Sequence, residues 1–224
     1  MIFLNFGILI FVVMTFGAAI SGYLLGSINT SIIVGKVFGI DIRKHGSGNA
    51  GATNTLRTLG AKPAIFTFAG DALKGVIACL IGSFIFRLFI NSPENGELGL
   101  LVAGFSAILG HNWPLYFGFK GGKGVLTSFA VLLMMDWRLA LILVGVFLVI
   151  TSTTRFVSLG SVVAAALYPF LALIPAFGHV GHGWQFVVAA CLVGGLIIFR
   201  HTANIKRLIN GTESKVFSKK EKSE

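Results

Sequence analysis

The chain has 224 residues, of which 55% are hydrophobic and only 12% charged, and its mean hydropathy is +0.87. A soluble domain of this length needs more charged residues to cover its surface, so composition excludes an ordinary soluble protein. The net charge of +10 comes without a recognised nucleic-acid-binding motif. In an apolar chain this charge favours anionic headgroups and anionic small substrates as partners, and we expect no nucleic acid.

The predicted elements begin with an apolar run over residues 2–25. No basic residue precedes Lys36, and the run is longer than the hydrophobic part of a secretory signal. We therefore expect a retained transmembrane helix, with a cleaved signal peptide as the alternative. Four further runs have about the length needed to cross a bilayer. They cover residues 63–90, 98–117, 160–177 and 184–199.

Residues 124–153 form another apolar region, interrupted between Asp136 and Arg138. The interruption marks either a tight turn between two short spans, which gives seven helices, or a kink in one long span, which gives six. Seven spans with the N-terminus outside place every Lys and Arg except Lys74, Arg87 and Arg138 on the inner side. The positive-inside rule demands such a bias. We predict an all-α integral membrane protein with about seven transmembrane helices and cytoplasmic polar loops.

Residues 1–214 are predicted to form a single membrane domain. Residues 215–224 form a basic tail whose composition predicts disorder. Cys79 and Cys191 lie in separate apolar runs and show no spacing suited to zinc. We expect them to be small core residues.

Four polar segments interrupt the apolar pattern, and the first covers residues 43–57. Three glycines within six residues free its backbone to turn and to point N–H groups inward. A helix beginning near Ala50 adds a partial positive charge at its N-terminus. The planar guanidinium group of Arg57 offers paired N–H donors that suit a phosphate. The neutral hydrogen-bonding side chains are Ser47, Asn49, Thr53 and Asn54. The alternative is a flexible loop with a capped helix, but this density of donors without an acid favours anion binding.

The second polar segment, residues 110–124, ends in the sequence KGGKG. Position 124 is glycine where a P-loop needs Ser or Thr, and no βαβ context surrounds it, so we expect no nucleotide hydrolysis. Lys120 and Lys123, interleaved with glycines, are predicted to bring two ammonium groups to one spot. The alternative is a lysine pair that only reaches towards the membrane interface.

The third and fourth polar segments cover residues 153–161 and 200–207. Ser158 and Ser161 share a helix face near its N-terminus, where capping is the alternative role. His201 and Asn204 lie three residues apart as the last span leaves the membrane, where a histidine is also a common interfacial anchor. None of the four segments contains Asp or Glu. We therefore expect a phosphate site that uses Lys, Arg and backbone N–H groups, without a metal ion or cofactor.

Asp71 and Lys74 are charged residues within the second span, at a spacing that allows them to pair. Charges inside a membrane are costly and often functional. An ion pair that locks helices is the simpler interpretation.

The polar segments resemble the motifs of bacterial acyl-phosphate:glycerol-3-phosphate acyltransferases. The matching sequences are SGNAGATNTLR at 47–57, GHNWP through FKGGKG at 110–124, and TRFVSLGS at 154–161. GSI at 26–28 and RHTANIKR at 200–207 are also similar, so the resemblance extends from Gly26 to about Glu213. Ala50 and Asn29 stand where that family often has proline, which affects backbone stiffness rather than chemistry.

The resemblance implies transfer of a fatty acyl group from acyl phosphate to the 1-hydroxyl of glycerol 3-phosphate, giving lysophosphatidic acid. The predicted catalytic residues are Ser47, Arg57, Lys123 and His201. The predicted substrate-binding residues are Gly48, Asn49, Thr53, Asn54, His111, Lys120, Gly121, Gly122, Ser158, Ser161 and Asn204. Either His201 or the substrate's own phosphate takes the proton, and the lack of a carboxylate favours the substrate. An acyl intermediate on Ser47 is a competing route.

The implied setting is the bacterial cytoplasmic (inner) membrane, with the C-terminus and the active site on the cytoplasmic side. Expected partners are glycerol 3-phosphate, acyl phosphate, membrane lipid and the enzyme that produces acyl phosphate. The rival class is a transporter of phosphorylated or anionic solutes. A transporter predicts polar residues at mid-membrane in several spans, and here only Asp71 and Lys74 fit that pattern.

Overall fold

A computed structural model describes residues 2–89, 93–174 and 183–216, and within these ranges the chain is helical without any strand. The helices are α1 Ile2–Gly26, α2 Thr30–Val37, α3 Ala52–Leu59, α4 Ala61–Phe89, α5 Pro93–Asn112, α6 Val125–Met135, α7 Trp137–Thr154, α8 Val157–Ala172, α9 Gly183–Arg200 and α10 Thr202–Ile209. Single turns of 3₁₀-helix occur at Ile42–Lys44 and Leu115–Phe117. The predicted all-α class is confirmed.

Five helices of the described ranges are long and apolar enough to cross a membrane. They are α1, α4, α5, α7 and α9. The helices α6 and α8 have 11 and 16 residues. At the α-helical rise these are about 16 and 24 Å long, against a hydrocarbon core of about 30 Å. The chain is thus an integral membrane protein, while a total of seven spans stays a prediction.

The interruption near Asp136 is a break between two helices rather than a kink in one. Asp136 ends α6 and caps α7, and its Oδ1 accepts hydrogen bonds from the backbone N–H groups of Arg138 (2.9 Å) and Leu139 (3.2 Å). These bonds satisfy first-turn donors that would otherwise lack partners. The structure therefore agrees with the tight turn between two helices that the distribution of Lys and Arg predicted.

The helices α1, α4 and α5 pack closely because small residues line their contacts. A Cβ atom at Gly22 or Gly26 would overlap the backbone carbonyl groups of Ala103 or Ala107. Only glycine lets the α1 and α5 backbones approach this closely. The contact holds the end of α1 against the part of α5 that precedes the second polar segment.

The buried Asp71–Lys74 pair connects α4 with three neighbours. Lys74 Nζ lies 2.9 Å from Asp71 Oδ1 and donates to the carbonyl oxygen of Ile28, also at 2.9 Å. It also bonds to His111 Nδ1 at 2.9 Å, while the Thr127 hydroxyl donates to the Asp71 backbone carbonyl. The ion pair predicted from spacing is confirmed, and its contacts join α4 to α5, α6 and the turn before α2.

A second group of helices, α6 to α9, forms an apolar core together with Cys79 of α4 and Ile108 of α5. The segment after α10 packs on this group: the Val216 N–H donates to the Arg155 carbonyl oxygen at 2.9 Å, and Lys215 Nζ lies 5.6 Å from the Phe156 ring centroid. Lys215 and Val216 were predicted to belong to the disordered tail, and here they contact the helical body. The rest of the predicted tail lies outside the described residues.

Candidate active site

A cavity of about 310 Å³ opens where the polar segments meet the ends of α6, α8 and α9. Ten of its polar side chains form what we call the rim, and most of its apolar side chains form what we call the slot; Asn54, Asp71, His111 and Ser128 also line the cavity. The rim consists of Ser47, Asn49, Thr53, Arg57, Lys123, Ser158, Ser161, His201, Asn204 and Glu213. The slot consists of Phe68, Leu126, Phe129, Leu132, Leu143, Val144, Phe147, Val157, Ala164, Ala165, Tyr168, Val193 and Ile197. All four polar segments therefore reach one cavity.

The first segment forms a loop that Asn54 holds together from inside. Asn54 Oδ1 accepts from the Ser47 N–H at 2.9 Å, and its Nδ2 donates to the carbonyl oxygens of Ile42 (3.1 Å) and His45 (2.9 Å). Asn54 was predicted to bind substrate, but both amide hydrogens serve the loop, so its role is to shape it. Helix α3 begins at Ala52, and its first turn lines the cavity, where free helix N–H groups favour an anion.

Arg57 lies on the last turn of α3 and reaches into the rim. Its Nη2 donates to the carbonyl oxygen of Ser214 at 3.0 Å. Within the described ranges, its buried Nε has no hydrogen-bond partner. Burial lowers the pKa of the guanidinium, which nonetheless stays charged at neutral pH. Arg57 therefore keeps donor capacity for an anion in the cavity.

The two lysines of the second segment are separated, contrary to the prediction that both meet at one spot. Lys123 lines the cavity, and its ammonium group donates to Asn204 Oδ1. Burial is the main cause that lowers the pKa of Lys123 to about 8. Lys120 is exposed and does not line the cavity; its carbonyl oxygen accepts a long bond (3.4 Å) from Arg43. Of these two lysines, only Lys123 can contact a molecule bound at the rim.

Three glycines predicted to offer N–H groups to phosphate use them within the chain instead. Gly48 N–H bonds to the His45 carbonyl, and the N–H groups of Gly121 and Gly122 bond to the carbonyls at the end of α5. This folds the KGGKG loop back on α5. A Cβ at Gly122 would overlap His111 Nε2 and the Ala50 carbonyl oxygen, so this position needs glycine for close approach.

His111, predicted to bind substrate, is buried in the cavity wall beside Asp71. Its Nδ1 bonds to Lys74, and the Asp71 carboxylate lies 3.7 Å from the same nitrogen. Asp71 also lines the cavity. This buried ionic cluster therefore supports the site wall in addition to joining helices.

The third and fourth segments meet at the rim through Ser158, Ser161, His201 and Asn204. Ser161 Oγ donates to the carbonyl oxygen one turn earlier in its own helix, at 2.9 Å. His201 Nδ1 lies 2.7 Å from the Ile197 carbonyl oxygen, which can only accept, so Nδ1 carries hydrogen. Burial, followed by the charge of Lys123, lowers the pKa of His201 to about 4. His201 is therefore neutral at physiological pH.

Glu213 is a rim residue that sequence reasoning missed. Its Oε1 accepts from Ser158 Oγ and Asn204 Nδ2, both at 2.7 Å, and its Oε2 pairs with Arg207 Nε at 2.7 Å. The expectation of a site without a carboxylate is therefore wrong. Burial alone would raise the pKa of Glu213, but the hydrogen bonds that it accepts hold it below its usual value. The sequence did contain a signal for this residue, because Glu213 is the only Asp or Glu between Asp136 and Glu221.

The rim can bind and orient anions, and the slot can bury an apolar chain. Asn204 connects the Lys123 ammonium with the Glu213 carboxylate, so a single amide fixes the positions of both charges. Among the described residues, no three His, Cys, Asp or Glu side chains form a candidate metal site.

Comparisons with known proteins identify the same family that the sequence motifs resemble. A family described as glycerol-3-phosphate acyltransferase matches residues 16–211. The glycerol-3-phosphate acyltransferase of Clostridioides difficile strain 630 is 45% identical over 208 residues, which cover 91% of this chain and 96% of that protein. The one from Halalkalibacterium halodurans is 43% identical, covering 90% and 95%.

Two solved structures of PlsY, an integral membrane glycerol 3-phosphate acyltransferase, have the same fold. Its glycerol 3-phosphate form superposes with a TM-score of 0.78 at 36% identity, covering 90% of this chain and 94% of that one. Its lysophosphatidic acid form gives a TM-score of 0.74 at 37% identity, with the same coverage. These matches support the acyltransferase prediction and not the transporter alternative. The chain belongs to the glycerol-3-phosphate acyltransferase family.

Proposed function

We propose that the protein transfers a fatty acyl group from acyl phosphate to the 1-hydroxyl of glycerol 3-phosphate. The products are 1-acyl-glycerol 3-phosphate (lysophosphatidic acid) and inorganic phosphate. The related PlsY structures are a glycerol 3-phosphate form and a lysophosphatidic acid form, which supports this acceptor and this product. The choice of acyl phosphate as donor rests on the resemblance of the three motifs.

One observation carries the proposal: a cationic rim with neutral donors opens directly into an apolar slot. Both proposed substrates have a phosphate group, and one of them also has a long alkyl chain. Arg57 and Lys123 supply positive charge, and the neighbouring hydroxyl and amide groups orient a bound phosphate through directional hydrogen bonds. The slot is continuous with the rim, so one amphiphilic molecule can occupy both.

The reaction is a single displacement at the acyl carbonyl carbon. The 1-hydroxyl oxygen of glycerol 3-phosphate forms the new C–O bond, the bond from that carbon to phosphate oxygen breaks, and phosphate leaves with the electron pair. Because phosphate is a good leaving group, the protein supplies mainly position and charge stabilisation. Lys123 and Arg57 stabilise the negative charge that develops on the carbonyl and phosphate oxygens.

The hydroxyl proton passes to a substrate phosphate rather than to His201. A base whose pKa is held at about 4 accepts a proton from an alcohol poorly. A phosphate monoester with a second pKa of about 6 is better matched to neutral pH. His201 and Asn204 then serve as hydrogen-bonding groups that orient the acceptor.

The proposed setting is a bacterial cytoplasmic membrane, with the N-terminus outside and the rim on the cytoplasmic side. The distribution of Lys and Arg supports this orientation. Single cysteines introduced at Asn210 and Lys62, after replacement of Cys79 and Cys191 by alanine, test it. Labelling of intact cells by a membrane-impermeant maleimide should fail at both positions and succeed after permeabilisation. Labelling in intact cells would contradict the orientation. The enzyme that forms acyl phosphate is the candidate protein partner on this side.

The activity is tested with purified protein in detergent, given acyl phosphate and glycerol 3-phosphate. Mass spectrometry should detect lysophosphatidic acid and phosphate in equal amounts. Acyl-CoA in place of acyl phosphate is the donor control. No product from acyl phosphate of any chain length would overturn the proposal. Radiolabelled acyl phosphate without acceptor tests the competing route, because an acylated Ser47 would remain bound to the denatured protein.

A further inference from the structure

On α6, α7, α8 and α9 the residues that line the slot stop part of the way along each helix. On these helices the lining residues farthest along the chain from the polar segments are Leu132 on α6, Leu143 on α7, Tyr168 on α8 and Val193 on α9. Together these four residues form what we call the floor.

The next core residues along the same helices do not line the cavity. They are Met135, Ala140, Ala172 and Ala190, all buried in the common core. These four helices therefore close the slot before it reaches their far ends.

Tyr168 is the largest residue of the floor, and its position is fixed by packing. Its ring contacts Phe186 edge to face, with ring centroids 6.2 Å apart, and the two side chains are 4% and 1% exposed. Such an arrangement of two buried rings resists displacement. The floor is therefore a fixed boundary and does not yield easily to a longer ligand.

The distance from rim to floor is comparable with the length of a fatty acyl chain. Ser158 at the rim and Tyr168 at the floor are separated by ten residues of one helix, or about 15 Å at the helical rise. This is shorter than an extended octadecanoyl chain. A chain anchored by its phosphate at the rim meets the floor when it exceeds this depth.

We infer that the floor sets an upper limit on the acyl chain that the enzyme accepts, with Tyr168 as the main determinant. This inference rests on the proposed function, because the occupant of the slot is the acyl group of the donor. The physical reason is steric: a well-packed interior accommodates an additional methylene group poorly. The remainder of the slot contributes affinity, and the floor contributes selection by length.

The test compares kcat/KM for octadecanoyl phosphate with that for dodecanoyl phosphate, taken as a ratio for each protein. Tyr168→Ala deepens the slot and should raise the ratio about tenfold or more. Ala165→Leu, which adds bulk one turn nearer the rim, should lower the ratio by a similar factor. If Tyr168→Ala does not fold, Leu132→Ala opens the floor from α6 and has the same expected direction.

The matched control is Phe86→Ala, a large-to-small change in the separate core between α1, α4 and α5. It should leave the ratio within about twofold of the unmodified protein, whatever it does to stability. Unchanged ratios in the slot variants, with product still formed, would overturn the inference, because the chain would then leave the slot sideways towards lipid. Absence of product from the unmodified protein would instead contradict the proposed function.

Discussion

Lys74 Nζ lies 2.9 Å from His111 Nδ1, although the two residues belong to different membrane helices. An ammonium group cannot accept a hydrogen bond, so His111 Nδ1 is the acceptor and the ring hydrogen of the neutral imidazole is on Nε2. That nitrogen lies against Gly122, where only a glycine fits. The pair thus fixes both the tautomer of His111 and the course of the second motif.

Replacing Lys74 should cost stability, because Asp71 would remain as an uncompensated buried charge. We expect Lys74→Met to lower the free energy of unfolding by about 3 to 5 kcal/mol. Asp71→Asn combined with Lys74→Met removes both charges and should cost less than the single change. Thermal unfolding in detergent, followed by intrinsic fluorescence, measures both. Equal losses in the single and double variants would show that the ion pair does not carry this stability.

Lys120 and Lys123 provide a matched pair within one motif. Lys123→Met removes the rim ammonium and should lower kcat/KM about 100-fold or more, as expected for loss of a group that stabilises developing charge. Lys120→Met changes an exposed side chain outside the cavity and should stay within about twofold. Initial rates with purified variants compare them directly. A larger effect at Lys120 than at Lys123 would contradict the described rim.

The pH dependence of activity should reflect Lys123. Its pKa is lowered to about 8, so the ammonium is charged below that pH and loses its proton as pH rises through it. kcat/KM should therefore fall on the alkaline side with a midpoint near this value. Glu213 favours the charged form, so Glu213→Gln should move the midpoint to lower pH. Asp41→Asn, which removes an acid that pairs with Arg43 away from the rim, is the control. A midpoint that Glu213→Gln leaves unmoved would refute the electrostatic link.

The acid side of the same profile tests the identity of the base. If the substrate phosphate takes the proton, the acid limb lies near its pKa of about 6 and persists in His201→Gln. The variant should then lose less than about 100-fold in kcat, below the usual contribution of a general base. Loss of the acid limb together with a larger fall in kcat, at unchanged KM, would identify His201 as the base.

Much of the fold followed from the sequence because the length of apolar runs and the placement of charge can be read from it directly. The break near Asp136 was predicted because a charged pair inside an apolar run is costly and the basic residues had to fall on one side. The positions of Arg57, Ser158 and Asn204 followed from the motifs that contain them. The motif residues needed only neighbours close in the chain, whereas the choice of the turn also used the distribution of Lys and Arg along the whole sequence.

The parts that could not be predicted depend on contacts between distant segments. In a loop rich in glycine, spacing does not fix side-chain direction, so Lys120 and Lys123 looked equivalent although only one faces the cavity. Asn54 looked like a free donor in the sequence. Only the folded loop brings the carbonyl oxygens of Ile42 and His45 within hydrogen-bonding distance of its amide. Glu213 lies outside the four polar segments and 55 residues from its partner Ser158, so the motifs did not indicate it.

The closure of the rim by Glu213 has a consequence for biosynthesis. This carboxylate leaves the ribosome after every other rim residue, since it is the last of them in the chain. Until it emerges, Asn204 and Ser158 lack the acceptor that orients them. A nascent chain whose earlier helices are already inserted in the membrane therefore still has an incomplete rim. The segment that follows α10 therefore completes the cavity, and it is the last part of the rim to be synthesised.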